Sequence, residues 1–113
     1  MTPLDFSRAL LLTLKLPVSE NNVRSLVGWI AQEGGHYHNA ARYNPLNTTM
    51  GAPGASSFGV GVKGYVSWEQ GLDATVRTMH NGLYNGILGA LSRSASPDET
   101  LSVIDQTPWG THN

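Results

Sequence analysis

An apolar stripe that ends in a carboxylate constrains the fold of this chain more than any other feature. The stripe recurs at offsets 0, 3, 4, 7 and 10, at Val23, Leu26, Val27, Ile30 and Glu33. That spacing is one face of a 3.6-residue period, so it predicts an amphipathic helix. Ser19 is a suitable N-cap, with Asn22 completing a weak capping box, and we expect the helix to end at Gln32 or Glu33.

Glu33 is the first candidate for chemistry because it stands at the end of this apolar face. A buried charge is costly unless it is paired or protonated, and desolvation favours the neutral form of a carboxylic acid. Gly34 and Gly35 follow at once and indicate a helix stop that allows close backbone approach. A proton donor at the lip of a cleft fits this pattern. Two other interpretations stay open: a solvated residue in the last helical turn, and an ion-pair partner of Arg42.

The segment after the glycine pair is dense in side-chain amides and aromatic rings. It is NAARYNPLN over residues 39–47, with few aliphatic side chains for a core. Amides hydrogen-bond sugar hydroxyls and acetamides, and aromatic faces stack on sugar rings. His36 and His38 precede this segment, but no nearby acid completes a metal site. We therefore expect both histidines in a loop or lining the cleft, and we predict no metal.

Length and composition narrow the possible functions. The chain has 113 residues, of which 13% are charged, and a net charge of −1. This length predicts a single domain over residues 1–113, and the charge argues against a nucleic-acid partner. The absence of cysteine excludes disulfides, thiolate metal sites and cysteine nucleophiles, and no cofactor is predicted. The apolar run ALLLTLKL is too short to insert through a membrane, and nothing resembles a signal peptide.

Capping and turn residues divide the rest of the chain into four more helices and one hairpin. We expect the helices at residues 3–15, from Ser67 (with Gln70 completing its capping box) to the stop at Asn81-Gly82, at residues 83–91, and from Ser96 to just before Thr107. A short helical turn is expected at residues 39–42. Residues 47–66 predict an irregular β-hairpin with a turn at residues 51–55. Its first strand comprises Thr48, Thr49 and Met50, and its second carries Phe58, Val60, Val62 and Tyr65.

Two tryptophans each have two interpretations. Trp29 lies one helical turn before Glu33, so its indole either shields the carboxylate or packs in the core. Trp109 is too large to remain exposed without reason, so it either packs back onto the domain or lines the cleft.

Three segments together resemble the lysozyme-like domains of bacteriophage endolysins and tail lysins, especially those of phages of actinobacteria. The segments are WIAQEGG, NAARYNPLNTT and GVGVKGYVSWEQGLDATVRTMHNGLYNGIL, and the resemblance covers residues 20–92. More distantly, the chain is similar to lytic transglycosylases and endo-N-acetylglucosaminidases. The resemblance implies an α+β, mainly α, lysozyme-like fold. In it a helical bundle carries a small irregular β-hairpin that forms one wall of a groove, with Glu33 on the other.

The resemblance also implies a function, the cleavage of the glycan strand of bacterial peptidoglycan with Glu33 as the catalytic acid. The positions expected to line the sugar groove are Tyr43, Asn44, Asn47, Thr48 and Tyr65. Thr49, which follows Thr48 and also carries a hydroxyl, is expected to join them. Other domains of a larger phage protein are further expected partners. Such a protein stays in the host cytoplasm until lysis, or travels on a virion tail, and acts on the cell wall.

Two departures from the family pattern concern the transglycosylase assignment. Transglycosylases usually follow the catalytic Glu with Ser, whereas Gly34 stands here, and their Gly-x-x-Gln segment has no clear counterpart. These departures weaken the transglycosylase assignment more than the glycan-hydrolase one.

The positions of the carboxylates restrict the mechanism. Cleaving a glycosidic bond needs a proton for the leaving oxygen and a group that stabilises the oxocarbenium-like centre. In lysozymes the second group comes from the β-element, but no Asp or Glu occurs between residues 34 and 68. Glu69 is the only plausible distal carboxylate, and it fits better as a partner of its own helix N-terminus. A retaining nucleophile on the hairpin is therefore excluded.

Three routes with a single glutamate remain. The first uses a water held by Asn47, Thr48 or Thr49, the second uses the substrate's own acetamide, and the third uses the muramyl 6-hydroxyl, as in transglycosylases. A rival from another class is a catalytically silent wall-binding or virion structural module on the same fold, because a fold does not fix a function.

Overall fold

Five α-helices and a two-stranded antiparallel sheet form the described part of this computed structural model, which covers residues 1–34, 42–58 and 62–109. In chain order the elements are α1 (Pro3–Leu14), α2 (Glu20–Gly34), β1 (Ser56–Phe58), β2 (Val62–Gly64), α3 (Trp68–Met79), α4 (Asn85–Ser92) and α5 (Pro97–Asp105). The expectation of a mainly helical α+β fold is confirmed. Within the described ranges, no helix is both long and apolar enough to cross a membrane.

The helix starts follow the capping residues in the sequence. At α1, the Thr2 hydroxyl accepts from the Asp5 amide at 3.1 Å, and the Thr2 amide donates to the Asp5 carboxylate at 3.1 Å. At α5, the Ser96 hydroxyl accepts from the Glu99 amide at 3.2 Å. Each cap satisfies a backbone donor that the first turn would otherwise leave without a partner. These two predictions are confirmed. Helix α4 begins two residues later than expected.

The expected reciprocal box at the start of α2 is wrong. The Ser19 hydroxyl does accept from the Asn22 amide at 3.2 Å. The Asn22 side chain is fully buried, however, and its Nδ2 donates to the carbonyls of Pro17 and Leu91, each at 2.8 Å. A buried amide must find partners where it lies, so Asn22 ties α2 to the end of α4 instead of capping its own helix.

The core lies between the helices and centres on an aromatic cluster. Trp29 and Tyr84 both contact Trp109 edge to face, with ring centroids 4.8 and 4.9 Å away respectively. The Trp109 indole donates to the Leu46 carbonyl at 2.7 Å. Trp109 therefore packs back onto the domain, and the core interpretation of Trp29, which is fully buried, is confirmed. The aliphatic members of the core include Leu10, Leu11, Leu26, Ile30, Ile87, Leu91 and Ile104.

The predicted first strand of the hairpin is wrong. Strand β1 is Ser56–Phe58, and it pairs with β2 so that Ser57 lies opposite Lys63. The predicted strand residue Val60 lies within residues 59–61, outside the described residues. A bend does occur within the expected turn at residues 51–55, where the Ala55 amide donates to the Ala52 carbonyl at 3.0 Å.

The Asn44 side chain explains why residues 48–50 do not form the strand. Its Oδ1 accepts from the Thr48 amide at 2.9 Å, and its Nδ2 donates to the carbonyls of Thr48 at 2.9 Å and Lys63 at 2.7 Å. The Lys63 amide also donates to the Thr48 carbonyl at 3.2 Å. A side-chain amide thus replaces much of the backbone pairing at Thr48. Residues 42–50, the sheet and Tyr65 pack together and are called the β-wall below.

Candidate active site

Glu33 lies in the last turn of α2 and its side chain is half-buried. Its Oε2 atom is buried. This position differs from that of a fully solvated residue at a helix end, which was one interpretation of the sequence. The predicted helix end at Gln32 or Glu33 is close to the observed end at Gly34.

Asn47 connects the β-wall to Glu33. Its Nδ2 donates to the Glu33 backbone carbonyl at 2.7 Å and lies 3.5 Å from Oε1 of the same residue. Its backbone is left-handed, with φ of 56°, a conformation that Asn adopts more readily than most residues. Asn47 is only 9% exposed. The Asn47 amide therefore holds the end of α2 and the Glu33 carboxylate in place rather than binding a ligand.

Asn44 and Thr48 are buried within the β-wall. The Thr48 hydroxyl lies 2.5 Å from the Thr78 hydroxyl, and the Thr78 hydroxyl donates to the Ala74 carbonyl at 2.8 Å. The hydrogen bond between the two threonine hydroxyls holds the β-wall against α3. Asn44 and Thr48 are only 1% and 2% exposed, which does not fit the sugar contacts expected of them.

Tyr65 is also an internal member of the β-wall. It is 4% exposed, and its hydroxyl donates to the Met50 carbonyl at 2.6 Å. Burial raises the pKa of Tyr65 to about 12, against a smaller opposite effect of its hydrogen bond with Thr48. The ring therefore stiffens residues 48–50, and the expected stacking of Tyr65 on a sugar does not fit its burial.

Tyr43 is half-buried and lies where α3 comes closest to the β-wall. Its ring contacts Trp68 edge to face at 5.2 Å, and its φ is 59°. A Cβ atom added to Gly71 would lie 1.8 Å from the Tyr43 carbonyl oxygen. The absence of a side chain at Gly71 thus permits the close approach that sets the Tyr43 backbone.

Among the predicted groove residues, Thr49 is exposed and Tyr43 is partly exposed. These two are the side chains available to a ligand, whereas the others hold the β-wall together. Thr78, which contacts Thr48, had no signal in the sequence, because its contact depends on how α3 packs against the β-wall. The left-handed backbone of Asn47 did have a signal in the sequence, because Asn favours turns and left-handed backbone and here follows Pro45 by two residues. His36 and His38, and residues 39–41 of the expected helical turn, lie outside the described residues.

The two acidic residues of α3 lie on its exposed surface. Glu69 is exposed in the first turn of α3, and Asp73 pairs with Arg77 at 2.9 Å on the surface of the same helix. Comparisons of the chain with protein-family models, curated proteins and solved structures found no match. The functional argument therefore depends on the residues around Glu33 and on the resemblance in sequence.

Proposed function

We propose that this chain cleaves the glycan strand of bacterial peptidoglycan with Glu33 as its single catalytic acid, on a lysozyme-like fold, within a phage lysin or a tail-associated protein. The observation that carries the proposal is the half-buried Glu33 carboxylate at the end of α2, braced by Asn47 from the β-wall. General acid catalysis requires a carboxyl group held in place and partly shielded from water. The phage context rests on the resemblance in sequence alone.

The proposed reaction begins with proton transfer from Glu33 to the leaving glycosidic oxygen. As the bond to the anomeric carbon breaks, positive charge develops on the sugar ring and must be met by a nucleophile or a stabilising group. The β-wall contributes no carboxylate, because residues 34–68 contain no Asp or Glu. Glu33, deprotonated after the first transfer, then accepts the proton of the attacking group, so one carboxyl group serves as acid and as base.

The hydrogen bonds of the β-wall narrow the choice of attacking group. The Thr48 hydroxyl is buried and hydrogen-bonded to the Thr78 hydroxyl, and the Asn47 amide nitrogen donates to Glu33, so neither of these groups suits a bound water. The exposed Thr49 hydroxyl is the best remaining candidate for that role. Attack by the substrate's acetamide or by the muramyl 6-hydroxyl needs no protein group beyond Glu33.

The rival proposal, a catalytically silent wall-binding or virion structural module, has one observation in its favour. The Asn47 amide bonds the backbone carbonyl of Glu33 more closely than the carboxylate, at 2.7 Å against 3.5 Å. A helix end needs partners for its last carbonyls, so this contact also serves stability alone. Loss of cleavage without loss of binding on substitution of Glu33 distinguishes the two proposals.

The first test measures clearing of purified cell walls by the wild type and by the Glu33→Gln variant. We expect a rate loss of about 10²- to 10⁴-fold, the usual contribution of a general acid. The matched control is Glu20→Gln, which removes an exposed carboxylate from the first turn of the same helix. Equal clearing by wild type and Glu33→Gln would refute the single-glutamate mechanism.

The second test identifies the chemistry by mass spectrometry of the released fragments. A reducing end indicates hydrolysis by water or through the acetamide, whereas a 1,6-anhydro end indicates attack by the muramyl 6-hydroxyl. Because Gly34 departs from the transglycosylase pattern, we expect reducing ends. The identity of the new terminus, muramic acid or glucosamine, shows which bond is cut.

A further inference from the structure

A small pocket lies between residues 50–53 of the chain and the outer face of α3, beyond the residues that the proposed cleavage uses. Its volume is about 150 Å³. Pockets for whole drug-sized ligands are about 300–1,000 Å³, so this one admits a single small residue and not a disaccharide. The pocket is therefore suited to a substituent of the glycan strand and not to the strand itself.

The pocket combines apolar walls with a charged rim. Met50, Ala52 and Ala74 supply apolar surface, and Asp73 and Arg77 stand at the rim. The Arg77 Nε lies 2.9 Å from the Asp73 carboxylate. A guanidinium has five N–H donors, and this ion pair orients the group through Nε, so the two terminal nitrogens can face a ligand carboxylate. The terminal nitrogens of Arg77 thus offer donors to a carboxylate, beside apolar surface that suits a small aliphatic side chain.

Gln70 holds the pocket in shape. Its Nε2 donates to the Pro53 carbonyl at 2.8 Å, and its Oε1 accepts from the Val66 amide at 3.1 Å. The expected capping box is therefore half formed: the Ser67 hydroxyl accepts from the Gln70 amide at 3.1 Å, but the Gln70 side chain does not return to the Ser67 amide. The two polar atoms of the Gln70 side chain thus bond the backbone before β1 and after β2. Residues 50–53 are therefore held against α3 in the absence of a ligand. A preformed pocket spares a ligand the cost of ordering the chain.

A short segment of the chain connects the pocket to the residue that contacts Glu33. Asn47 contacts Glu33, and Met50 lines the pocket three residues later. Three residues of chain span at most about 11 Å. The pocket and the contact to Glu33 therefore lie on one short segment of the chain, so a peptide attached to a sugar bound at Glu33 is the substituent that we expect near the pocket.

We propose that this pocket binds the carboxyl-terminal end of a peptide stem of peptidoglycan. A small aliphatic side chain, such as that of alanine, lies against Ala74, and the terminal carboxylate pairs with the guanidinium of Arg77. Asp73 acts as a positioning residue for Arg77. This inference rests on the proposed function for its substrate class, and it adds recognition of the peptide to cleavage of the glycan.

The first experiment compares cleavage of intact cell walls with cleavage of walls from which an amidase has removed the peptides. We expect Arg77→Gln to lower kcat/KM roughly three- to tenfold on intact walls and to leave peptide-free glycan unaffected, as for an exposed charge-assisted contact. The matched control is Arg24→Gln, which breaks another exposed ion pair between residues four apart, Arg24 and Glu20. Equal effects of Arg77→Gln on both walls, or no effect on either, would overturn the inference.

The second experiment measures binding without cleavage, so that failure of the proposed function does not hide the answer. The probe is N-acetyl-alanyl-alanine, and its carboxamide is the control ligand. Backbone amide NMR signals of residues 50–52 and 70–77 are expected to shift with the acid and to shift little with the amide. Arg77→Gln is expected to raise the Kd of the acid three- to tenfold, and Arg77→Lys to restore part of the affinity. Equal shifts with acid and amide would overturn the pocket assignment, even if Glu33 proves catalytic.

Discussion

At the scale of single residues, the β-wall depends on side chains whose roles differ from those their residue types suggest. Asn44, Asn47, Thr48 and Tyr65 are residue types that bind sugars, and sequence analysis expected them to do so. In the fold, Asn44 and Tyr65 bond backbone groups of the β-wall. Asn47 bonds the last turn of α2, and Thr48 bonds a hydroxyl of α3. Sequence spacing cannot distinguish these roles, because burial decides them and burial depends on the packing of α3 against the wall.

Asn47 gives a prediction in which two substitutions separate geometry from hydrogen bonding. Asn47→Gly tolerates the left-handed φ of 56° but removes the amide, whereas Asn47→Ala removes the amide and adds strain of about 1–2 kcal/mol. We expect both variants to lose activity about tenfold, since Glu33 loses a contact that positions it. Thermal unfolding is expected to show a lower Tm for Asn47→Ala than for Asn47→Gly. Full activity in Asn47→Gly would contradict a positioning role.

Tyr65 predicts a loss of stability in alkali. Its pKa is about 12 in the folded protein against an ordinary value of 10. Because the folded pKa is raised, the contribution of the neutral phenol to stability is complete below pH 10 and is lost as the pH rises through 12. Denaturant unfolding of the wild type and Tyr65→Phe between pH 8 and 12 is the measurement. Above pH 10, the unfolding free energy of the wild type is expected to fall relative to that of Tyr65→Phe, and below pH 10 the difference between the two is expected to stay constant. A constant difference throughout would refute the assignment.

At the scale of elements, helix positions were predictable and strand pairing was not. The caps at Thr2, Ser67 and Ser96 act within four residues of sequence, so the sequence shows them directly. The predicted first strand failed because the Asn44 side chain, four residues before Thr48, takes over the Thr48 backbone groups. Such competition between a side chain and a strand depends on contacts that no period in the sequence reveals.

The approach of α3 to the β-wall predicts a strong effect of one methyl group. Gly71→Ala would place Cβ 1.8 Å from the Tyr43 carbonyl oxygen, so helix and wall must separate. Overpacking of this kind lowers the free energy of unfolding by about 1–3 kcal/mol. Because the β-wall also contacts Glu33, its displacement from α3 is expected to lower activity as well. The matched control is Gly89→Ala in α4, where the nearest atom lies at 3.9 Å and a helical alanine is favourable. Denaturant unfolding of both variants is the measurement; similar stabilities would contradict the close approach.

At the scale of the whole molecule, the described helices bury an aromatic and aliphatic core and set Glu33 at the end of α2, next to the β-wall. The part of the core that α2 contributes was predictable, since Leu26 and Ile30 recur at helical spacing. The positions of Tyr84 and Trp109 were not, because neither lies in a helix. Two features of the candidate site were predictable: the position of Glu33 at the end of α2, and the lack of an Asp or Glu in the β-wall. The pocket rimmed by Asp73 and Arg77 was not predictable, because it forms where residues distant in sequence meet.

The most direct measurement is a paired determination of binding and cleavage by wild type and Glu33→Gln on the same purified cell walls. Sedimentation gives the bound fraction, and the number of new glycan ends gives the rate of cleavage. We predict equal bound fractions and a rate about 10²- to 10⁴-fold lower in Glu33→Gln. Equal rates in the two proteins, or no new ends with either, would contradict the proposal that Glu33 is the acid that cuts the glycan strand.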